Sequence, residues 1–362
     1  MFSVHLRRAA GMLAALSLAL AALPAGAGDA VKTIRIAAPA IAALGKPSYA
    51  GTSAAVIEKG FVDEELARVG VKAEWVPANT SSVAAFVNEA FAQKRIEFAM
   101  YGDLPSIIAN GSGIRTRLLV PGGGLSNTYL VVPAHSPARS IEDLKGKRIA
   151  VHRGRPWEFP FDKLLKSKGL SFSDFTILNL NPQAGAAAVS TGSADAFVTL
   201  SDAWVLVDKK VGRIIWNSGT QSEDWQMRAE VWGDEAFVQQ HPQIAQALVT
   251  GIVRTYQWAS QEQSRPEFVN YATRFGQSAS VIEREIDSQK LEWKQRWSPL
   301  FTPAVRQHYV EEIAYARDAK LIRQDVDVDA LFDKRFVTTA LAQLQLDRYW
   351  AAQTAPTQSA QR

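Results

Sequence analysis

The sequence predicts an α/β fold of two lobes, each with a mostly parallel sheet covered by helices. Three observations predict it. Short apolar segments rich in branched residues alternate with amphipathic segments from residue 33 to residue 216. A helix–strand–turn–helix unit occurs twice, and the chain is almost wholly helical from His241 to Ala352. With 362 residues, the chain is long enough for about two domains and a large core.

The strands are predicted where short runs of branched, apolar or aromatic residues are bounded by turn residues. They cover residues 33–39, 72–77, 97–101, 117–120, 129–132, 148–151, 176–180, 196–200 and 213–216. Helices are predicted from near Thr52 or Ser53, over 81–91 and over 104–109. The glycine run at 122–124 is interpreted as a turn between strands.

The first 27 residues have the layout of a secretory signal peptide. Arg7 and Arg8 precede an apolar run over residues 9–23, and Ala25-Gly26-Ala27 forms a small-residue cleavage site. A retained membrane anchor is the alternative, but the run is shorter than the ~20 residues that a span needs. We expect an exported chain cleaved near Ala27, by either the general or the twin-arginine route.

The composition favours binding over catalysis. The absence of cysteine excludes disulfides, thiolate metal sites and a cysteine nucleophile. Beyond the leader, the histidines at 135, 152, 241 and 308 are too scattered for a zinc motif, and we interpret them as packing or surface residues. Removing Arg7 and Arg8 with the leader lowers the formal net charge from +4 to +2, and no basic block suggests a nucleic-acid partner. We expect no cofactor and no metal.

The repeated unit points to an anion site. Its turns are Gly102-Asp103-Leu104 and Ser201-Asp202, each between a strand and a helix. In open α/β sheets, ligands gather where strands end and helix N-termini present free N–H groups and positive dipole ends. Two such ends facing across a cleft would hold an anion without a catalytic side chain.

Three segments resemble those of the type 2 periplasmic binding proteins of ABC importers, in the branch for aliphatic sulfonates, taurine and nitrate. They are residues 101–107 (YGDLPSI), residues 140–151 (SIEDLKGKRIAV), and residues 181–186 (NPQAGA) with 192–197 (GSADAF). The second is the most specific, because it is similar to the family's "DLKGKkVAv" segment.

The resemblance implies a clamshell of two α/β lobes with hinge strands and a helical C-terminal tail. Residues 28–126 would form the first part of lobe 1, residues 127–231 lobe 2, and residues 232–362 the completion of lobe 1 with the C-terminal helices. It also implies a periplasmic monomer that closes around a small anionic organic solute and delivers it to an inner-membrane ABC permease and its ATPase.

Departures from the family's pattern bear on the ligand. The sulfonate branch has Gly-Ser-Ser and then His where this chain has Gly154-Arg-Pro-Trp-Glu158, and its Trp-Asp-Pro becomes Leu200-Ser-Asp202. A bulky or aromatic sulfonate or a sulfate ester, taken up for sulfur acquisition, is therefore at least as plausible a ligand as a short alkanesulfonate. Nitrate, a carboxylate or another small solute stays open.

Roles outside transport are also considered. Enzymes on the same fold, an aryl-sulfinate desulfinase and a thiamine-pyrimidine synthase, rely on cysteine, so we expect no enzyme. An acid–base enzyme using Glu158 and a sensory subunit remain as alternatives.

Several residues are candidates for the ligand site, and none is a candidate for catalysis. Arg155 could pair with two oxygens of an anion, or be a solvated surface residue. Trp157 could form an apolar wall, or pack within its lobe. The Asp103 carboxylate suits a helix cap better than an anion site. The candidates are Gly51, Thr52, Ser53, Gly102, Asp103, Leu104, Ser126, Gly154, Arg155, Trp157, Ser201, Asp202 and Arg228.

Overall fold

The computed structural model describes residues 31–351, so the predicted signal peptide lies outside the described residues. Most described strands follow the predicted apolar runs to within a few residues. They are β1 (Thr33–Ala43), β2 (Lys46–Tyr49), β3 (Lys72–Asn79), β4 (Phe98–Gly102), β5 (Thr116–Val120), β6 (Leu125–Ser126), β7 (Tyr129–Pro133), β8 (Arg148–Val151), β9 (Thr176–Asn179), β10 (Ala196–Thr199), β11 (Gly212–Asn217) and β12 (Met227–Asp234).

The α-helices lie between the strands and then dominate the C-terminal third. Those up to residue 208 are α1 (Gly51–Lys59), α2 (Phe61–Arg68), α3 (Val83–Ala92), α4 (Asp103–Asn110), α5 (Glu158–Ser167), α6 (Pro182–Thr191) and α7 (Asp202–Asp208). The later ones are α8 (Glu235–Gln240), α9 (Pro242–Ala259), α10 (Arg265–Ala272), α11 (Ala279–Asp287), α12 (Trp293–Arg296), α13 (Pro303–Asp318), α14 (Val328–Leu331) and α15 (Arg335–Gln343).

The strands form two sheets, which confirms the α/β prediction. One sheet contains β1 to β6 and β12, with the path β2-β1-β4-β12-β5, β3 beside β1 and β6 beside β12. The other has the order β11-β7-β10-β8-β9. The predicted lobe boundary at residue 231 falls within β12, and the boundaries themselves stay a prediction.

The expectation of mostly parallel sheets is wrong. Parallel pairing joins β1 to β3 and β4, and β8 to β9 and β10. Antiparallel pairs outnumber these because each strand that carries the chain between the sheets runs against its neighbours. β7 enters the second sheet antiparallel to β10 and β11, and β12 returns antiparallel to β4, β5 and β6.

The second sheet is covered on both faces. Alternate residues of β7 point to opposite faces, as strand geometry requires. Leu130 and Val132 pack with residues of α5, whereas Tyr129 and Val131 pack with residues of α6 and α7. The core beside the first sheet draws residues from α3, α4 and the distant α13. The C-terminal helices therefore complete the first sheet's core.

Within residues 31–351, none of the helices combines the length and the apolar character needed to cross a membrane.

Candidate functional site

Each sheet and the helices packed on it form one structural unit, and a cavity of about 260 Å³ lies between the two units. Its walls come from strands of the first sheet, from the start of α1, from the β5–β6 loop, from the start of α7 and from α10 to α12. The lining residues are Pro39, Ala50, Gly51, Thr52, Ser53, Met100, Gly123, Gly124, Leu125, Ser126, Ser201, Ala229, Phe268, Ala272, Phe275, Gln277, Ile282, Glu285, Ile286 and Arg296.

The N-terminus of α1 forms a polar wall of this cavity. The helix begins at Gly51, and its N-cap residue Ala50 provides no side-chain cap. The N–H groups of the first turn have no partner within a helix, so they remain available as donors. Thr52 donates its hydroxyl to the Gly123 carbonyl, and Ser53 is buried on the cavity side of the helix. This wall suits an oxyanion, which accepts hydrogen bonds and favours the positive end of a helix.

The glycine run between β5 and β6 brings a second backbone wall close to α1. A Cβ on Gly124 would collide with the Ala229 carbonyl, and one on Gly123 would lie 2.6 Å from the Tyr256 ring. Tyr256 holds the run by donating its hydroxyl to the Gly122 carbonyl at 2.9 Å. The turn predicted here therefore requires glycine at these positions, since larger residues would push this backbone out of the wall.

The second sheet contributes Ser201, at the start of α7. Gln277 donates from Nε2 to the Ser201 hydroxyl oxygen at 2.8 Å. A hydroxyl that accepts one bond still has its own proton to donate. Burial raises the pKa of the neighbouring Asp202, whose carboxyl also accepts from Gln277 at 3.4 Å. Ser201 therefore lines the cavity with a hydroxyl proton still available to donate to a ligand.

The charged side chains that line this cavity, within the described part of the chain, are Glu285 and Arg296. Burial raises the pKa of Glu285, whose carboxyl accepts from the Asn127 N–H at 2.7 Å and from the Tyr129 hydroxyl. Burial lowers the pKa of Arg296 to about 10, and its Nη2 donates to the Leu125 carbonyl at 2.7 Å. At neutral pH the guanidinium stays charged, so the lining contains a positive charge beside the Glu285 carboxyl.

The remaining wall is apolar and comes from α10, α11 and the turn between them. Its members are Phe268, Ala272, Phe275, Ile282 and Ile286. Phe275 is 36% exposed, which places it at the edge of the cavity. An organic group attached to an anion would find its contacts on this wall.

The segment that carries this wall contacts both structural units. Arg274 pairs with Glu58 of α1, beside the first sheet. Arg284 pairs with Asp208 of α7, beside the second sheet, at 2.6 Å. Residues 265–296 therefore cover the cavity as a strap, a role that sequence reasoning did not assign to them. The only available signal was the apolar spacing of α11, which predicts burial but not what is buried against it.

The turn predicted at Gly102-Asp103-Leu104 lies away from the cavity lining. A Cβ on Gly102 would lie 2.5 Å from Cγ of Pro156, so that proline of the second unit already occupies the space over the turn. Asp103 is fully buried and accepts from the N–H groups of Leu104 at 2.8 Å and Arg228 at 2.7 Å. Its carboxylate therefore forms hydrogen bonds within the protein, away from the cavity lining.

The candidates of the 154–157 loop are also outside the lining. Gly154 donates its N–H to the Glu158 carboxylate. Trp157 packs against the core of the second sheet. Arg155 donates from Nη2 to the Ser81 carbonyl at 2.7 Å, and Ser81 lies in the loop between β3 and α3 of the first sheet. Arg155 thus joins the two units.

Arg228 is buried in an ion-pair network apart from the cavity. Its Nε donates to Glu230 at 2.6 Å and its Nη1 to Glu223 at 3.2 Å. Burial alone would lower the pKa of Arg228, but the two carboxylates more than offset it and raise that pKa. Of the candidates, the structure therefore brings Gly51, Thr52, Ser53, Ser126 and Ser201 together around one cavity.

Replacing Arg155 with alanine is expected to weaken ligand binding by about two- to tenfold. The change removes one hydrogen bond between the units, which contributes about 0.5–1.5 kcal/mol to their association. Titration calorimetry of the wild type and the variant measures the difference. A loss of a hundredfold or more would instead mean that the guanidinium contacts the ligand.

Comparisons with known proteins agree with this architecture. A family model described as NMT1/THI5 like matches residues 87–265. The crystal structure assigned as a periplasmic sulfonate-binding protein SsuA, of a sulfonate ABC transporter from Methylobacillus flagellatus KT, is 45% identical with a TM-score of 0.83. That match covers 88% of this chain and 97% of the other.

Two more distant matches, one in sequence and one in structure, agree with this architecture. A protein of Bacillus subtilis (strain 168), assigned as an aliphatic sulfonates-binding protein, is 24% identical over 285 residues, 78% of this chain and 83% of the relative. The desulfurization enzyme DSZB shares 16% identity and a TM-score of 0.66, with 86% of this chain and 99% of that one covered. The resemblance found in the sequence is thus confirmed: the chain belongs to the NMT1/THI5-like family, within its periplasmic solute-binding proteins of ABC transporters.

Proposed function

We propose that this protein captures a small organic anion, a sulfonate or a sulfate ester, in the periplasm and hands it to an ABC permease for sulfur acquisition. The observation that carries the proposal is the division of the 260 Å³ cavity into a donor-lined side and an apolar side. A sulfonate with an organic tail has the same division, with its charge at one end.

The polar side supports an oxyanion head group. The first turn of α1, which has free N–H groups, lines the same cavity as the hydroxyl-bearing residues Ser53, Ser126 and Ser201. Donors come from both structural units, so a ligand that contacts both stabilises the closed form. Ser201 replaces the side chains expected from the family's pattern as the donor of the second unit.

The apolar side supports a tail of limited size. Cavities for drug-sized ligands have volumes of about 300–1,000 Å³, so a space of 260 Å³ suits a smaller molecule. The aromatic rings of Phe268 and Phe275 provide large contact area for an aryl or branched alkyl group. Nitrate, which has no tail, would leave this wall without a partner.

A binding role rather than an enzymatic one is supported by two observations. The relatives with the higher identity are described as sulfonate-binding transport proteins, whereas the desulfurization enzyme is similar at the level of fold. The present chain has no cysteine to act as a nucleophile.

The test is a calorimetric titration of the mature chain with a panel of anions. We expect binding of alkanesulfonates to tighten by about fourfold for each added methylene, because each buried methylene contributes about 0.8 kcal/mol, until the cavity is full. Benzenesulfonate and phenyl sulfate extend the series to aryl tails and esters. A ligand at ten times its dissociation constant should also raise the free energy of unfolding by about 1.4 kcal/mol.

Two controls in the panel separate the alternatives. Nitrate and inorganic sulfate test the head group without a tail, and a carboxylate of matched length tests the sulfur oxyanion. Binding of nitrate alone, with no response to any sulfonate or sulfate ester, would overturn the proposed ligand class. Conversion of a bound sulfonate to product on prolonged incubation would overturn the transport role.

A further inference from the structure

A buried cluster of one histidine and two carboxylates lies outside the cavity. Asp103 begins α4, whereas His308 and Glu312 are one turn apart on α13, and all three are fully buried. One potential ligand atom from each residue lies within 4.8 Å of the other two. His308 Nε2 is 2.9 Å from Asp103 Oδ2 and 3.4 Å from Glu312 Oε2.

The imidazole of His308 is held in one orientation. Its Nδ1 is 3.1 Å from the Asp224 carbonyl, which can accept only if Nδ1 carries a proton. Nε2 is thereby directed toward the two carboxylates. Histidines that bind metals through one nitrogen commonly donate the other N–H to a backbone carbonyl in this way.

A proton on Nε2 does not satisfy this cluster. It forms one hydrogen bond, and Asp103 is the nearer acceptor and already accepts from two backbone N–H groups. Both carboxyl oxygens of Glu312 have no hydrogen-bond partner among residues 31–351. Buried carboxyl oxygens without a partner are costly in either protonation state, because they lose their hydration with nothing to replace it. A cation with several coordination positions could contact all three groups at once.

We propose that Asp103, His308 and Glu312 bind a divalent transition-metal ion, with zinc as the reference. Zinc is bound by imidazole nitrogen and carboxylate oxygen at about 2.0–2.2 Å. Ligand atoms at these distances around one tetrahedral ion lie about 3.3–3.6 Å apart. The 3.4 Å from Nε2 to Glu312 fits this spacing, whereas the 2.9 Å from Nε2 to Asp103 would have to widen by about half an ångström when the ion binds. Two carboxylates balance the charge of a divalent ion, and a mixed nitrogen and oxygen set favours Zn²⁺ or Mn²⁺ over Ca²⁺.

The place of the cluster in the fold gives the ion a structural role. Asp224, whose carbonyl holds His308, belongs to the short helical turn Glu223–Trp225. That turn lies just before β12, where the chain returns to the first sheet. A bound ion would fix this return segment to α4 and α13. The inference does not depend on which solute occupies the cavity, because none of the three residues lines it.

The test measures metal retained by the mature chain. The protein is unfolded in denaturant with a chelator, refolded with a small excess of ZnCl₂ or MnCl₂, desalted and analysed by elemental mass spectrometry. We expect about one ion per wild-type chain and a higher melting temperature than for protein refolded without metal. Anomalous diffraction at the zinc edge should place the ion between His308 and Glu312.

Three variants make the result specific. Glu312→Gln keeps the size of the side chain and should abolish retention, as should His308→Gln. His241→Gln changes a histidine at the start of α9 and should retain the ion. The proposal is overturned if natively refolded wild type retains no metal, or if Glu312→Gln retains as much as wild type does.

Discussion

Replacing Arg228 with alanine is expected to lower the free energy of unfolding by about 3–5 kcal/mol. The guanidinium is 2% exposed, and Glu230, its closest partner, is 1% exposed. Alanine would leave the Glu230 charge buried near Glu223 with no cation between them, in addition to removing a large side chain. Urea denaturation followed by circular dichroism measures the loss. Ligand affinity of the folded variant should be close to that of the wild type, because Arg228 does not line the cavity.

Two comparisons separate the buried charge from its packing. Arg306 pairs with Asp329 on the surface through two hydrogen bonds of 3.0 and 2.8 Å, so Arg306→Ala should cost at most about 1 kcal/mol. Arg228→Met keeps most of the apolar stem and should still be strongly destabilising. Adding Glu230→Gln to Arg228→Met should then restore stability, since it removes the unpaired charge. Equal losses for the Arg228 and Arg306 variants would contradict this account.

The buried pair of Arg228 and Glu230 also explains why β12 was missing from the sequence prediction. Its segment, Met227–Asp234, contains Arg228 and Glu230, and charged residues in a short segment normally indicate solvent exposure. Their burial depends on partners that the local pattern does not show, such as Tyr309 of α13, which donates to Glu230. The apolar strands β4, β7, β8 and β10 were predictable because their own side chains fill the core.

The cavity lining likewise contains residues that local sequence signals indicated and residues that they did not. Local sequence signals indicated the α1 start and Ser201, which line the cavity, because small polar residues between a strand and a helix are typical of helix N-termini. The same signals also indicated residues 102–104 and 154–157, which lie outside the cavity lining, and Pro156 of one unit fills the space over Gly102 of the other. The apolar wall comes from residues 268–286, far along the chain. Only the tertiary path of the strap brings those residues to the cavity.

Changing Ser53 to aspartate is expected to weaken binding of a sulfonate by about a hundredfold or more. Ser53 lines the cavity in the first turn of α1, so the new carboxylate would face the bound anion. Two like charges about 4 Å apart near a protein surface repel by about 4 kcal/mol, which corresponds to roughly a thousandfold in affinity. The first turn of α1 has no acidic residue, and an acid there stabilises a helix by about 0.3–1 kcal/mol. Although Ser53 is buried, the free N–H groups of this turn can donate to the new carboxylate, so we expect folding to be preserved while binding is lost.

The matched controls test whether charge in the cavity is the cause. The asparagine of Ser53→Asn has nearly the same size as aspartate but carries no charge. This variant should keep affinity within about tenfold of the wild type, because it loses at most a hydroxyl hydrogen bond. Ser280→Asp places the same acid in the first turn of α11 at an exposed position and should leave affinity unchanged. Calorimetry with the tightest ligand of the panel gives all three affinities. Tighter binding by Ser53→Asp would show that the solute is a cation, because an added carboxylate attracts only positive charge to this wall.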